Sequence, residues 1–309
     1  MDVQDILFAL SEPTRLKALW LCQRSQLSQT ELRQALDVSA PQISPHIARL
    51  IEQGLLSRVT QGRFYYYKTQ ISEEHKSWLK PLFAQMDADP QLVQLQSLLN
   101  DILATRTRSN GPLRQRFQHK WRTLRAELDN AENLEQAIIA QIKNLSPDTL
   151  VDLGTGAGEF VLNLAPYAGH VVGIDFDSQA LDCARLSADE AGLQTIEFAQ
   201  ADARDTTLRD SYADVVVMHQ LLRLVPRPYQ AIEETARILK KRGVLLLGDI
   251  QGQEISGSLY PARARHDAGL PPAAVDKWLQ DCGYTDVQQQ TFSGNRFTLA
   301  LWQAQKGHG

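Results

Sequence analysis

The stretch that decides the fold is "VDLGTGAGEF", residues 151–160. A short apolar run leads into three glycines at every second position, Gly154, Gly156 and Gly158. Because glycine lacks Cβ, the backbone can turn sharply there and approach a ligand closely. This pattern predicts a strand that ends in a glycine loop at the carboxyl edge of a parallel sheet, where such sheets bind cofactors.

The segments that follow this loop alternate between strand-like and helix-like patterns. The predicted strands are "TLVDLG", "HVVGID", "IEFAQA", "ADVVVMHQ" and "GVLLLGDI", with helices at about 159–166, 178–191 and 226–240. The helix "PAAVDKWLQDCG" and the strands "TDVQQQTF" and "NRFTLALWQAQ" close the chain. This alternation predicts an α/β fold, a doubly wound Rossmann-like domain over residues 112–309.

Acidic residues stand where the predicted strands end. Asp175 ends the second strand, 21 residues after Gly154, where a carboxylate can accept both ribose hydroxyls. Asp202 follows the third strand and can accept the amino hydrogens of an adenine, and Phe176 offers its ring face. The loop also lies between Asp152 and Glu159, which would repel a pyrophosphate but suit an ammonium and a sulfonium. S-adenosylmethionine (SAM) fits that description.

This part of the chain resembles the class I SAM-dependent methyltransferases over roughly residues 113–305. The stretches "VDLGTGAGE", "GIDFD", "QADARD" and "LQDCGYTDV" match the motifs of that family in order. The resemblance implies that this domain binds SAM or its product S-adenosylhomocysteine (SAH). It assigns the ribose to Asp175 and the adenine to Asp202 with Ala203. It assigns the methionine part to the residues of the loop: Asp152, Gly154, Thr155, Gly156 and Gly158. Phe117 or Trp121 either covers this site or belongs to a helix core.

His219, at the end of the fourth predicted strand, is the candidate catalytic base. The alternative is a structural histidine that packs on the ligand, so we include His219 in the cofactor site as well. No Asn-Pro-Pro-Tyr-like element for amino acceptors follows that strand, and the sequence contains no recognisable acceptor site.

The first 80 residues have the sequence pattern of a winged helix-turn-helix domain. In the stretch "APQISPHIARLIEQ", residues 40–53, Ile43, Ile47 and Leu50 lie on one face of a helix that Ser39 can cap. The other face offers side chains to bases and phosphates: Gln42, Ser44, His46 and Arg49. Pro45 predicts a kink or a restart of this helix at Ser44. The stretch "LLSRVTQGRFYYYKT" predicts a β-hairpin wing with Arg63 at its tip.

With "ALSEPTRLKAL" before them, these motifs resemble the ArsR/SmtB family of winged-helix repressors over residues 1–80. The resemblance implies a homodimer that binds double-stranded operator DNA. The family's metal sensors carry a Cys pair before the turn or His and carboxylate ligands on the terminal helix. In this chain the corresponding stretches are "SQTELRQAL" and "ISEEHKSWLKPLF". They contain no cysteine and a single histidine, His75, so we expect no metal site. A winged helix that binds protein instead of DNA is the alternative.

A helix is predicted over residues 81–111 as the connection, and "SNGP", residues 109–112, is predicted to break the chain before the second domain. The helix either pairs with its copy in a dimer or packs on the next domain. Residues 101–125 hold seven Lys/Arg against one Asp, which suits DNA contact or a solvated helix face equally well. No run of eighteen apolar residues occurs, and the start "MDVQDILF" lacks the basic residues of a signal peptide, so we expect a cytoplasmic protein without a membrane segment.

Two functions remain open from the sequence. The first is a transcriptional repressor whose methyltransferase-like domain binds SAM or SAH as an effector. The second is an active SAM-dependent methyltransferase on a small-molecule acceptor, with a regulatory winged helix.

Overall fold

The computed structural model describes residues 3–61, 64–87, 89–128, 130–193, 196–252 and 269–307. The chain divides into two compact units. The first comprises Met1–Pro112 and Asp189–Glu197, and the second comprises Leu113–Ala188 and Phe198–Gly309. Within the described ranges, no helix combines the length and the apolar content that a membrane span needs.

The first unit contains a helix-turn-helix followed by a β-hairpin. Its helices are α1 (Val3–Leu10), α2 (Pro13–Arg24), α3 (Gln29–Leu36), α4 (Ala40–Glu52) and α5 (Glu73–Asp87). Three antiparallel strands, β1 (Leu27–Ser28), β2 (Leu56–Gln61) and β3 (Phe64–Thr69), pair in the order β1-β3-β2. Arg63, the predicted wing tip, lies outside the described residues.

Local signals explain the two helices of the helix-turn-helix. The turn between them contains Asp37 in the left-handed region, with a φ of 52°. At the start of α4, the Ser39 amide donates a 2.8 Å hydrogen bond to Oε1 of Gln42. Helix α4 then continues through Pro45, so the predicted restart at Ser44 is wrong. A single proline removes only its own amide donor, and the Ser44 hydroxyl gives an additional bond of 2.7 Å to the Ala40 carbonyl.

The predicted connecting helix is longer than the sequence suggests. Helix α6 (Pro90–Glu127) begins inside the predicted range of 81–111 and continues through Gly111 and Pro112, where we predicted a break. Its apolar stripe is buried in the core of the first unit: Leu92, Leu95, Leu99 and Ile102. Tertiary packing of this stripe offsets the local cost of one glycine and one proline.

A largely buried ion pair fixes α6 to α3. Arg106 donates from Nε to Oε1 of Glu31 at 2.6 Å and from Nη2 to Oε2 at 2.7 Å. Glu31 also accepts from the Ser28 amide at 2.7 Å, so the same carboxylate caps α3. Part of the basic run at 101–125 therefore serves the interior of the unit.

The remaining elements form a seven-stranded sheet flanked by helices. The helices are α7 (Ala131–Leu145), α8 (Val161–Leu164), α9 (Ser178–Glu190), α10 (Pro228–Ile238) and α11 (Pro272–Asp281). The strands are β4 (Thr149–Leu153), β5 (His170–Asp175), β6 (Ile196–Gln200), β7 (Ala213–His219), β8 (Leu239–Ile250), β9 (Tyr284–Ser293) and β10 (Thr298–Lys306).

The sheet has the order β6-β5-β4-β7-β8-β10-β9. Strand β4 pairs in parallel with β5 and β7, β7 pairs in parallel with β8, and β10 pairs antiparallel with β8 and β9. The chain reverses its direction of winding at β4, which places a topological switch point at the end of that strand. The predicted α/β fold with a doubly wound sheet is confirmed.

Candidate functional site

The glycine loop follows β4 at the switch point. All three glycines have positive φ, +78° at Gly154, +56° at Gly156 and +88° at Gly158. A Cβ at Gly154 would lie 2.6 Å from Cδ1 of Leu221, and one at Gly158 would lie 3.1 Å from Cα of Ala184. A Cβ at Gly156 would meet nothing within 4 Å. Two of the glycines therefore allow close packing, and the third leaves open space beside the loop.

Asp175 connects this loop to the end of β5. Its Oδ2 accepts a hydrogen bond of 2.9 Å from the Gly156 amide, and its Oδ1 accepts one of 2.9 Å from the Asp177 amide. Burial raises the pKa of Asp175 above its usual value. Since each carboxylate oxygen has a second lone pair, both can still accept a hydroxyl. The geometry suits a vicinal diol, as in a ribose.

Asp152 is the second acidic residue of the loop and is 2% exposed within β4. Burial raises the pKa of its carboxyl to about 7, and the nearby Asp175 carboxylate contributes to this rise. Asp152 therefore binds a proton far more readily near neutral pH than an ordinary aspartate does. A cationic ligand group would favour the ionised form.

The predicted adenine subsite contains an unpredicted partner of Asp202, the guanidinium of Arg204. Arg204 donates from Nε to Oδ1 of Asp202 at 2.8 Å and from Nη2 to Oδ2 at 2.6 Å. This contact lowers the pKa of Asp202. Ala203 lies between the two and is half-buried, and the Phe176 ring is 75% exposed. An adenine amino group would share Asp202 with Arg204.

His219 ends β7 and is buried against two aromatic rings. Its ring centroid lies 4.4 Å from that of Phe160 and 5.7 Å from that of Trp121, the latter edge-on. Burial, together with the charges of Arg223 and Arg125, lowers the pKa of His219 to about 3. Its Nε2 has no hydrogen-bond partner in the described part of the chain. An imidazole in this state is neutral and only weakly basic at pH 7.

The predicted DNA-binding residues lie on α4. Gln42 and Ser44 are exposed, and His46 and Arg49 are half-buried. Several have partners within the unit: Gln42 with Ser39, Ser44 with Ala40, His46 with Glu12 at 3.3 Å, and Arg49 with Glu52 at 3.2 Å. These side chains would exchange such partners for bases or phosphates on binding DNA, and their role there stays a prediction.

Two family models match the chain. Residues 151–247 match the methyltransferase domain, and residues 12–58 match the bacterial regulatory protein, arsR family. The ubiquinone biosynthesis O-methyltransferase of Actinobacillus pleuropneumoniae is 33% identical over 170 residues, which cover 50% of this chain and 72% of that protein. The chain belongs to the SAM-dependent methyltransferases. An ArsR-family helix-turn-helix precedes its methyltransferase domain.

Other relatives match this methyltransferase domain over shorter stretches. The uncharacterized methyltransferase YcgJ of Bacillus subtilis is 29% identical over 100 residues, which cover 32% of this chain and 40% of that protein. The crystal structure of YcgJ matches with a TM-score of 0.50 and 17% identity, over 58% of this chain and 100% of that structure. At that identity the structural likeness shows the fold alone.

The methyltransferase domain has groups that fit SAM or SAH. The open space at Gly156 admits a ligand beside the loop, and Asp175 keeps free lone pairs for a diol. The exposed Phe176 ring offers a face to a purine. Asp152 suits an ammonium group.

The polar network beyond β7 was not predicted from the sequence. Arg223 and Asp249 form an ion pair in which both side chains are 0% exposed. Arg223 also donates a 2.5 Å hydrogen bond from Nη1 to Oε1 of Gln220. The sequence signal was present, because Arg223 is a single charge within the apolar run "LLRLV", where a charged residue is buried only when paired.

Proposed function

We propose that this protein is a DNA-binding transcriptional regulator, acting as a repressor, whose methyltransferase domain binds SAM or SAH as an effector. One observation carries the proposal. A methyltransferase domain with groups that fit a nucleoside is on the same chain as an ArsR-family helix-turn-helix, yet the histidine at its sheet edge is buried and held at a pKa of about 3. A general base works best with a pKa near the working pH, so His219 suits ligand packing better than proton removal.

Apolar residues on α1 support a homodimer as the acting form. Val3, Leu7 and Phe8 are 45%, 54% and 68% exposed. Val3 and Leu7 are four residues apart and so lie on one side of the helix, with Phe8 beside them. Exposed apolar clusters of this kind are common at interfaces between copies of a chain.

The test is a fluorescence-anisotropy titration of the full chain on duplex DNA from upstream of its own gene. It is run at fixed salt without ligand, with SAM and with SAH. We expect one of the ligands to shift the DNA affinity by about tenfold or more, a coupling of about 1.4 kcal/mol. Tight DNA binding that ignores both ligands would contradict an effector role.

The names of the relatives favour a second function, methyl transfer to a small-molecule acceptor. The A. pleuropneumoniae relative is an O-methyltransferase, and a Cereibacter sphaeroides protein that is 34% identical over 99 residues is a phosphatidylethanolamine N-methyltransferase. SAH formation from SAM with hydroxyl or amino acceptors, lost on His219→Gln, would support this function. Absence of SAH formation in this assay would favour the regulator function.

The ionisation of Asp152 leads to a pH prediction for ligand binding. In the free protein its pKa is about 7, so the carboxyl binds a proton as the pH falls below neutral. An ammonium group on the ligand favours the ionised carboxylate, and binding must then release this proton. We expect SAH affinity to fall toward tenfold per pH unit below about pH 7, measured by calorimetry in buffers of different ionisation enthalpy.

Asp152→Asn provides the control for this prediction. The amide cannot release a proton, so the pH dependence and the buffer-dependent heat should both be much smaller. An unchanged pH profile in the variant would assign the proton to another group, with Asp175 as the first candidate, because burial also raises its pKa.

A further inference from the structure

Gln220 follows His219 directly and is buried in an unusual way. It is 6% exposed, and its backbone is left-handed, with a φ of 57°. Its Oε1 accepts the hydrogen bond from Arg223, which fixes the orientation of the amide because a guanidinium can only donate. The opposite end of the amide, Nε2, has no hydrogen-bond partner among the residues that the structure describes.

The surroundings hold Gln220 rigidly in this position. Its backbone amide donates a 2.7 Å hydrogen bond to the Gly248 carbonyl on β8. Arg223 is itself anchored by the buried Asp249, whose Oδ2 accepts from the Arg223 amide at 3.2 Å. A left-handed residue other than glycine and an unsatisfied buried donor each cost free energy. No contact of Nε2 in the described chain offsets these costs, which indicates a ligand.

The sheet order shows which part of a ligand would reach Gln220. Strands β6, β5, β4 and β7 lie side by side, so their carboxyl ends bring four groups into one row. In that order the groups are Asp202, Asp175, the glycine loop and Gln220. An adenine at Asp202 and a ribose at Asp175 would place the amino-acid part of the ligand near the glycine loop and Gln220. Leu221 packs against Gly154, so the segment after β7 does lie against the glycine loop.

The charges around the loop favour a carboxylate at this end of the row. Asp152 and Glu159 are acidic, and the Gly156 amide already donates to Asp175. By contrast, Arg223 and Arg125 on the side beyond β7 are each paired with a carboxylate, Asp249 and Glu135 respectively. The side beyond β7 is therefore less acidic than the glycine loop.

We propose that Gln220 binds the α-carboxylate of an S-adenosyl amino acid through its Nε2 amide, and that the site thereby selects for the amino-acid part of the ligand. Arg223 is the positioning residue that orients this amide. The proposal rests on the ligand class of the proposed function. It makes a nucleoside without the carboxylate a poor ligand of this protein.

The test is a calorimetric comparison of SAH with its decarboxylated analogue, which keeps the adenosine, the thioether and the amine. The full chain is used as wild type and as Gln220→Leu. The wild type should prefer SAH by about tenfold or more, because a hydrogen bond to a charged group is lost with the carboxylate. Gln220→Leu should remove this preference and leave the affinity for the analogue nearly unchanged. Equal preference in both proteins would overturn the proposal.

Two further variants keep the result interpretable. Gln200→Leu is the matched control, since Nε2 of Gln200 donates to the Phe176 carbonyl at 2.8 Å at the nucleoside end, and the ratio of the two affinities should be unchanged. If Gln220→Leu does not fold, Gln220→Glu retains the size of the side chain and should reverse the preference by repulsion, and a retained preference for SAH would overturn the proposal. A wild type that binds both ligands equally would overturn it without any variant.

The outcomes separate this proposal from the regulator function. Carboxylate selection through Gln220 without any effect of SAH on DNA binding would contradict the regulator alone. A DNA response to SAH with no dependence on Gln220 would contradict the carboxylate proposal alone. Absence of SAH binding would contradict both.

Discussion

Asp175→Ala is expected to weaken SAH binding by about 100-fold or more and to leave DNA affinity without ligand unchanged. Two ribose hydroxyls would each lose a charged acceptor, at about 1.5–3 kcal/mol per hydrogen bond. The Gly156 and Asp177 amides would lose the same carboxylate, so the glycine loop would lose an anchor as well. Calorimetry with SAH and anisotropy on operator DNA measure the two effects separately.

Asp202→Ala is the matched control for this prediction. The Asp202 side chain is 45% exposed and already shares its oxygens with Arg204, so its removal should cost about tenfold or less. The two variants differ in which end of the nucleoside they affect, and both positions belong to the second unit. A DNA response to SAH that survives Asp175→Ala would contradict the assignment of the effector site to the glycine loop.

Features that depend on neighbouring residues could be predicted from the sequence. The glycine loop, the strands and the helix-turn-helix follow from local periodicity and from residues that permit a turn. Helix α3 spans Gln29–Leu36, with Leu32 and Ala35 buried at helical spacing. The carboxyl ends of parallel strands share one edge of a sheet, so Asp175 and Asp202 could be placed on that edge in advance.

Features that depend on distant partners could not be predicted. The basic run at 101–125 looked like a solvated or DNA-binding face, yet Arg106 pairs with Glu31 and Arg125 pairs with Glu135 at 2.8 Å. Charge counts do not tell which carboxylate folds back onto an arginine. The break predicted at Pro112 was wrong for a similar reason, because packing of the stripe elsewhere on α6 decides whether the helix continues.

The state of His219 shows the same limit at the site itself. Its position at the end of β7 follows from the strand pattern, and this position made it a candidate base. Its low pKa follows from burial between Phe160 and Trp121 and from the charges of Arg223 and Arg125, and of these groups only Arg223 is near His219 in the sequence. Chemistry at the end of a strand therefore depends on contacts that a single sequence does not give.

Arg223→Met is expected to lower the free energy of unfolding of the second unit by about 3–5 kcal/mol. The substitution leaves Asp249 fully buried without its cation, and the carboxylate cannot reach water to recover its hydration. Native-state hydrogen exchange of amides in β7 and β8 measures the loss, since it reports opening of this sheet separately from the first unit. A loss below about 1 kcal/mol would mean that the pair is hydrated in solution.

The double variant Arg223→Met with Asp249→Leu separates stability from ligand recognition. Removal of both ions restores an apolar interior and is often neutral or stabilising, so most of the lost stability should return. The amide of Gln220 would still lack the donor that orients it, because Arg223 is absent in both variants. A stable double variant that binds SAH without preference for its carboxylate would show that the ion pair serves the ligand site. A double variant that recovers stability and retains the preference would limit the role of Arg223 to folding.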